Sequence, residues 1–169
     1  MRVPTRLVIV SDTHVPQRSR GIPETLWHAI DAADVVLHAG DWNGVPLLDE
    51  IAARAARLVA VRGNNDGPEF DDRLPEEARV ELEGVAFAVL HDSGPATGRE
   101  ARMDARFPDA EVLVFGHSHI PWDTTTPRGL RLLNPGSPTD KRRQPTGTFL
   151  TAVADAGALR DVEIVPIPR

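Results

Sequence analysis

Five short apolar runs, rich in β-branched residues and each closed by polar side chains, frame this 169-residue chain: Leu7–Val10, Val35–Leu37, Leu58–Val61, Val85–Leu90 and Val112–Phe115. Runs of this length read as buried strands, because a strand covered on both faces has no polar alternation to show. Between the first three lie helical patterns. Pro23, placed for a first helical turn, opens PETLWHAIDAA, in which Leu26, Trp27, Ile30 and Ala33 share one face; PLLDEIAARAA, from Pro46, repeats the device. Strand, helix, strand, helix, strand predicts a parallel sheet built by crossovers. The second half differs in kind. RVELEGVAFAVL alternates around Glu83-Gly84 as a hairpin, LRLLN, TFLTAVAD and LRDVEIVPI are further strands, and Asp155-Ala156-Gly157 is a turn. The expected architecture is a layered α/β protein of two packed sheets with helices on the outer faces. No repeat or linker divides it, and the length suits one domain over residues 1–169. The GPEFDDRLPEE segment is expected to be a surface connection.

Composition removes several classes of function. A formal charge of −6 argues against extended nucleic-acid binding by phosphate neutralisation. The chain has no cysteine, which excludes disulfides, thiolate nucleophiles and Cys-type zinc sites and makes a reducing cytoplasm the expected location. The first apolar run is too short for a signal peptide and no stretch approaches a membrane span, so no membrane partner is expected.

The polar segments at the strand ends carry the chemistry. Val10 leads into Asp12-Thr13-His14, Leu37 into His38-Ala39-Gly40-Asp41, and Val61 into Gly63-Asn64-Asn65-Asp66. Leu90 leads into His91-Asp92-Ser93, and Phe115 into Gly116-His117-Ser118-His119. In open α/β sheets ligands bind beyond the carboxyl ends of the strands, where loops converge and the strand bodies are covered. Residues two apart in extended backbone project to one side, so Asp12 with His14, and His117 with His119, are each expected to reach one pocket. Taken singly, each has a structural explanation: Asp12 as a helix cap, Asp41-Trp42-Asn43-Gly44 and Gly63-Asn64-Asn65-Asp66-Gly67 as turns, His38 as a core residue or a group orienting Asp41. His28 belongs to a helix pattern, away from any strand end. Jointly, four of the six histidines with Asp12, Asp41 and Asn64 fall at one end of the sheet. An oxygen and nitrogen donor set suits Mn²⁺, Fe, Zn²⁺, Ni²⁺ or Co²⁺. Seven donors exceed what one zinc ion takes and suit two metals sharing a carboxylate.

The order Asp-x-His, Gly-Asp, Gly-Asn-x-Asp, a single His and Gly-His-x-His resembles the calcineurin-like metallophosphoesterases, especially their small bacterial and archaeal phosphodiesterases, from the first strand to NPGS at Asn134–Ser137. The resemblance implies a four-layer αββα sandwich. It implies that Asp12, His14 and His119 hold one divalent transition metal, that Asn64, His91 and His117 hold a second, and that Asp41 bridges both, with manganese the first expectation. It also implies phosphodiester hydrolysis of a small-molecule substrate by a metal-bridging hydroxide. Two positions depart from the family pattern. Asn65 stands where many members have His or Cys and cannot titrate, although its amide can donate a hydrogen bond to a phosphate oxygen; Ser93 replaces a second histidine after His91. Leaving groups that need no proton should therefore suffer least. The alternative is a non-catalytic protein-interaction scaffold on the same fold. Arg62 and the Lys141–Gln144 run KRRQ are the nearest candidates for phosphate-contacting charge, although a solvated basic loop is the favoured reading, and exposed strand edges leave homo-oligomers as an expectation.

Overall fold

A computed structural model of the protein describes residues 2–168. The first strand, β1 (Thr5–Val10), alternates between two compartments: Leu7 and Ile9 face the space between two sheets, while Val8 and Val10 face helices. That double burial is why its sequence is continuously apolar. β1 pairs in parallel with β2 (Val35–His38), which pairs in parallel with β3 (Leu58–Ala60). The crossovers are α1 (Glu24–Ala32), with Pro23 as its N-cap, and α2 (Val45–Arg54), with Pro46 in its first turn. Leu26, Trp27, Ile30, Leu47, Leu48 and Ile51 of these helices pack on the outer face of that sheet.

The second sheet uses the predicted hairpin, β4 (Glu77–Leu82) against β5 (Val85–Leu90), then β6 (Val112–Val114), β7 (Trp122–Thr125) and β8 (Arg131–Asn134), in the order β4-β5-β6-β8-β7. The chain then returns to the first sheet as β9 (Thr148–Asp155) and β10 (Ala158–Pro166), giving the order β10-β9-β1-β2-β3. The sheets meet through Leu7, Ile9, Leu37, Phe87, Val89 and Val114, among others. Burying each such side chain stabilises by about 1.5–3 kcal/mol, so this central layer sets the spacing of the two strand-end rims. α3 (Arg99–Arg106) covers the far face with Met103, and Phe107 just beyond it packs over Leu113 and Leu132. The layers run helix, sheet, sheet, helix, as expected.

Three features differ from the sequence reading. α3 and β7 carried no apolar pattern: α3 buries only Arg99 and Met103, and Trp122-Asp123-Thr124-Thr125 is mostly polar. The GPEFDDRLPEE segment is more than a surface connection, because its 3-10 turn Pro68–Phe70 inserts Phe70, fully buried, beneath the α1 and α2 layer. Among the described residues no helix is long and apolar enough to cross a membrane.

Candidate metal centre

The carboxyl ends of β1, β2, β3, β5 and β6 open onto one rim, and bonds within the second sheet and across to the first close it. Gly116 N–H donates to His91 O at 2.9 Å, His91 Nδ1 to Ala39 O at 2.8 Å, and His117 N–H to Asp12 Oδ2 at 3.0 Å. Two glycines permit the approach: a Cβ on Gly63 would lie 2.1 Å from Asp41 Oδ1, and one on Gly116 2.1 Å from Ser11 Oγ.

Asp12, His14, Asp41, His91 and His119 are all buried at this rim. His119 Nε2 lies 3.3 Å and His14 Nε2 3.6 Å from Asp12 Oδ1. The Asp41 carboxylate faces both ways: Oδ2 is 3.6 Å from His14 Nε2 and Oδ1 is 3.3 Å from His91 Nε2. Asp12, His14 and His119 form one cluster able to hold a metal ion, and Asp12, Asp41 and His91 a second. The outer donors are solvent-facing. His117, 46% exposed, puts Nδ1 3.1 Å from Asn64 Oδ1 and stacks edge-on against His91 with ring centroids 5.3 Å apart.

The hydrogen bonds assign the tautomers. His119 Nδ1 meets the carbonyl of Asp140 at 2.6 Å and His91 Nδ1 that of Ala39; carbonyls only accept, so each Nδ1 carries the proton. His14 Nδ1 meets Asn43 Oδ1 at 2.9 Å, whose amide nitrogen donates to Gln17 Oε1, so Oδ1 is the acceptor there too. All three Nε2 atoms then point inward as donors to a cation, the usual arrangement of metal-ligating histidine. His14 and His119 Nε2 approach to 3.1 Å, where two lone pairs would repel unless a cation or proton lay between them. Asp12 Oδ1 and His91 Nε2 are buried without a hydrogen-bond partner. Buried polar atoms left orphaned and aimed at a common space fit a divalent metal.

The charges of the metal-free site compensate one another. Burial by itself raises the Asp12 carboxyl, but contacts with His119 and His14 and the charge on His91 outweigh it and hold Asp12 well below the usual carboxylate range. Burial likewise opposes ionisation of Asp41, and His91 and Asn65 reverse it. Burial disfavours the charged form of His91, yet Asp41 and Asp12 raise it to about 9; His14 is raised in the same way by Asp12 and Asp41. A proton on His91 thus stands where a cation would.

Asp12 and His14 reach one pocket, as expected, but His117 and His119 part, and neither pair has the extended backbone expected of it. All four residues adopt positive φ, of 57°, 46°, 71° and 62°, because the chain has left the strand and is curling over the rim. His119 joins the buried set with His14 and Asp12, while His117 turns to Asn64 at the mouth. Asn65 donates to Asp41 through both its backbone N–H (3.0 Å) and its amide (2.7 Å). Ser93 is buried. His38 is a core residue: burial pushes it down to about 3, it stacks on Trp42, and its Nδ1 accepts from Gly40 N–H, shaping the turn that presents Asp41. His28 is surface-exposed beside Glu24.

The sequence reading missed Asp66 as a working residue. Its carboxylate accepts from the backbone N–H groups of Asp41 (3.0 Å), Trp42 (2.8 Å), Asn43 (2.8 Å) and Gly63 (2.7 Å), tying the β2 and β3 ends together. Burial and the charge of Asp41 push its carboxyl up, against these four donors. Its place in GNND was the available signal. Ser11, Asn43 and Asp140, which hold Asp12, His14 and His119 respectively, had none.

A model of the calcineurin-like phosphoesterase superfamily domain matches residues 5–157, which takes in every strand end that feeds the rim. The chain belongs to the calcineurin-like phosphoesterase superfamily. A probable metallophosphoesterase of the archaeon Methanothermobacter thermautotrophicus is 30% identical over 159 residues, covering 93% of this chain and 90% of that protein. A Thermotoga maritima protein solved by NMR is 28% identical with a TM-score of 0.76, covering 96% of this chain and 99% of that one. Vacuolar Protein Sorting 29 of Cryptosporidium parvum shares the fold at 16% identity, with a TM-score of 0.81 over 99% of this chain and 100% of its own. Against this superfamily frame, the buried oxygen and nitrogen donors are candidate metal-binding residues.

Proposed function

We propose that the chain is a metal-dependent hydrolase of phosphate esters, with phosphodiesters its preferred bond class and residues 1–169 acting as one domain. The observation that carries this is Asp41, whose two oxygens face His14 on one side and His91 on the other. In this proposal Asp12, His14 and His119 hold one cation, Asn64, His91 and His117 the other, and Asp41 bridges them. When bound, the cations supply the positive charge that draws phosphate oxygens and eases deprotonation of water near neutral pH. The oxygen and nitrogen donor set suits manganese, and the absence of cysteine suits the cytoplasm.

The chain's own groups perform the remaining tasks. Asn65 uses one amide hydrogen on Asp41, which leaves the second, at the exposed mouth, for a phosphate oxygen. Neither Asn65 nor Ser93 can protonate a leaving group at neutral pH, so aryl esters should turn over faster than alkyl esters. The scaffold alternative draws on the likeness to Vacuolar Protein Sorting 29, which is a likeness of fold alone. Retention of the full donor set argues for chemistry.

The deciding experiment is a panel of phosphomonoesters and phosphodiesters assayed with several divalent metals, alongside Asp41→Asn. We expect hydrolysis of an activated diester on metal addition and its loss in the variant. Undiminished turnover by Asp41→Asn would refute the bridging role. Purified protein that binds no transition metal would point to the scaffold.

A further inference from the structure

The basic run after the Asn134–Ser137 loop contributes no donor to the metal centre, yet it is fastened to it. Asp140 O accepts from His119 Nδ1, Asp140 N–H donates to Ser137 Oγ at 2.8 Å, and Ser137 Oγ donates to Asp12 O at 2.7 Å. Thr139 Oγ1 adds a bond to Thr13 O at 2.6 Å. The next three residues, Lys141, Arg142 and Arg143, line a cleft of about 370 Å³ together with Ser118, His119 and Ile120, a volume suited to a small ligand.

The charge here is unspent. Many arginines elsewhere are neutralised by acids, as in Arg6–Asp34, Arg54–Asp31 and Arg131–Asp123, while the buried Arg99 is held between aromatic rings and Arg102 by carbonyls. Among the described residues Lys141, Arg142 and Arg143 form no ion pair; all three are exposed, and Lys141 Nζ reaches only Gln144 O, at 3.1 Å. Asp140, the adjoining acid, lies 3.8 Å from His119 Nδ1 and 4.0 Å from Arg18 Nε. On a chain of charge −6, three free cations gather positive charge in a cleft that shares His119 with the metal cluster, a field that favours an anionic ligand there. Guanidinium groups match phosphate oxygens in pairs, and a phosphate dianion offers three oxygens to three cations where a carboxylate offers two.

Resting on the phosphoesterase assignment above, we propose that this cleft is a second phosphate subsite: the substrate carries, besides the ester phosphate at the metal centre, a further phosphate group that Lys141, Arg142 and Arg143 bind. The reacting bond lies on the His119 side and the spectator phosphate on the side of the basic run.

Thymidine 5′-(4-nitrophenyl phosphate), with and without a 3′-phosphate, presents the same reacting bond and differs only in the spectator group. With the manganese-loaded full chain, kcat/KM should be roughly tenfold or more higher for the 3′-phosphorylated ester. In the Lys141→Ala/Arg142→Ala/Arg143→Ala variant, checked for an unchanged melting temperature, that ratio should fall toward one. A wild-type ratio near one, or a ratio the variant retains, overturns the subsite while leaving the phosphoesterase assignment intact. If neither ester is hydrolysed with any metal, that assignment fails and binding decides separately. Lys141 is the only lysine in the chain, so its acetylation can be followed by mass spectrometry. Protection by thymidine 3′,5′-bisphosphate beyond that by thymidine 5′-phosphate supports the subsite. Equal protection by the two overturns it.

Discussion

Asp66→Asn tests whether the rim is organised from beneath. The substitution preserves shape but turns one carboxylate oxygen into an NH₂ group. On Oδ1 that group would face the N–H donors of Trp42 and Asn43; on Oδ2 it would face those of Asp41 and Gly63. Either orientation leaves two backbone donors without an acceptor. An unsatisfied buried donor costs about 1–3 kcal/mol, and because Asp66 is only half-buried, water recovers part of this; we expect a total of about 2 kcal/mol. For a chain of this length that lowers the melting temperature by roughly 4–8 °C. The functional loss should be larger, because the freed turn carries Asp41, and a misplacement of about 1 Å at a reacting centre can reduce turnover about a hundredfold. Calorimetry and metal-dependent diester hydrolysis measure the two effects, with Asp49→Asn, which removes an exposed partner of Arg73, as the control expected to change neither. Wild-type melting and turnover in Asp66→Asn would mean that the Asp41 turn is held by something other than this carboxylate.

The same geometry yields three further outcomes. His91 is held protonated to about 9 against an ordinary 6.5, so its contribution to the stability of the metal-free protein is fully present below about 6.5 and is lost as pH rises through about 9. Metal must displace that proton; calorimetry at pH 7.5 in buffers of differing ionisation enthalpy should register close to one proton released through His91, and no release would contradict the shift. Gly116→Ala leaves the backbone angles acceptable but sets a Cβ 2.1 Å from Ser11 Oγ and 2.6 Å from Asp12 Oδ2, so we expect a loss of about 1–3 kcal/mol in denaturant titration and weakened metal retention by elemental analysis. Metal at a hundred times its Kd should stabilise by about 2.7 kcal/mol and raise the melting temperature by roughly 5–11 °C, reversibly with chelator; an indifferent melt would speak against a built site.

How much of this was legible in the sequence divides along a physical line. Strands buried on both faces announce themselves by unbroken apolar runs, and β9 occupies the predicted TFLTAVAD stretch while β1, β2, β3 and β6 shift by one or two residues at their ends. α3 was hidden because an eight-residue helix anchored by Met103, with Arg99 sandwiched between Phe115 and Trp122, needs no apolar stripe. The site was legible as residue types and illegible as geometry, for a single reason. Of the ten non-glycine residues with positive φ among the described residues, six belong to the rim: Asp12, His14, Asp41, Asn43, His117 and His119. Left-handed backbone at a non-glycine residue costs on the order of 1–3 kcal/mol, least for Asp, Asn and His, whose short polar side chains tolerate it. The same three residue types supply metal donors. Selecting them at a strand end therefore lets the chain curl sharply away from the pleat and aim its donors inward, which is why rules of extended backbone brought Asp12 and His14 to one pocket but failed to separate His117 from His119. The bonds that make such a curl tolerable run from Asp66 to the Asp41 turn, from His117 N–H to Asp12 and from Ser137 to Asp12 O, across sequence separations of 25, 105 and 125 residues. No local pattern can encode contacts of that span; they exist only once the two sheets have packed and brought the strand ends together.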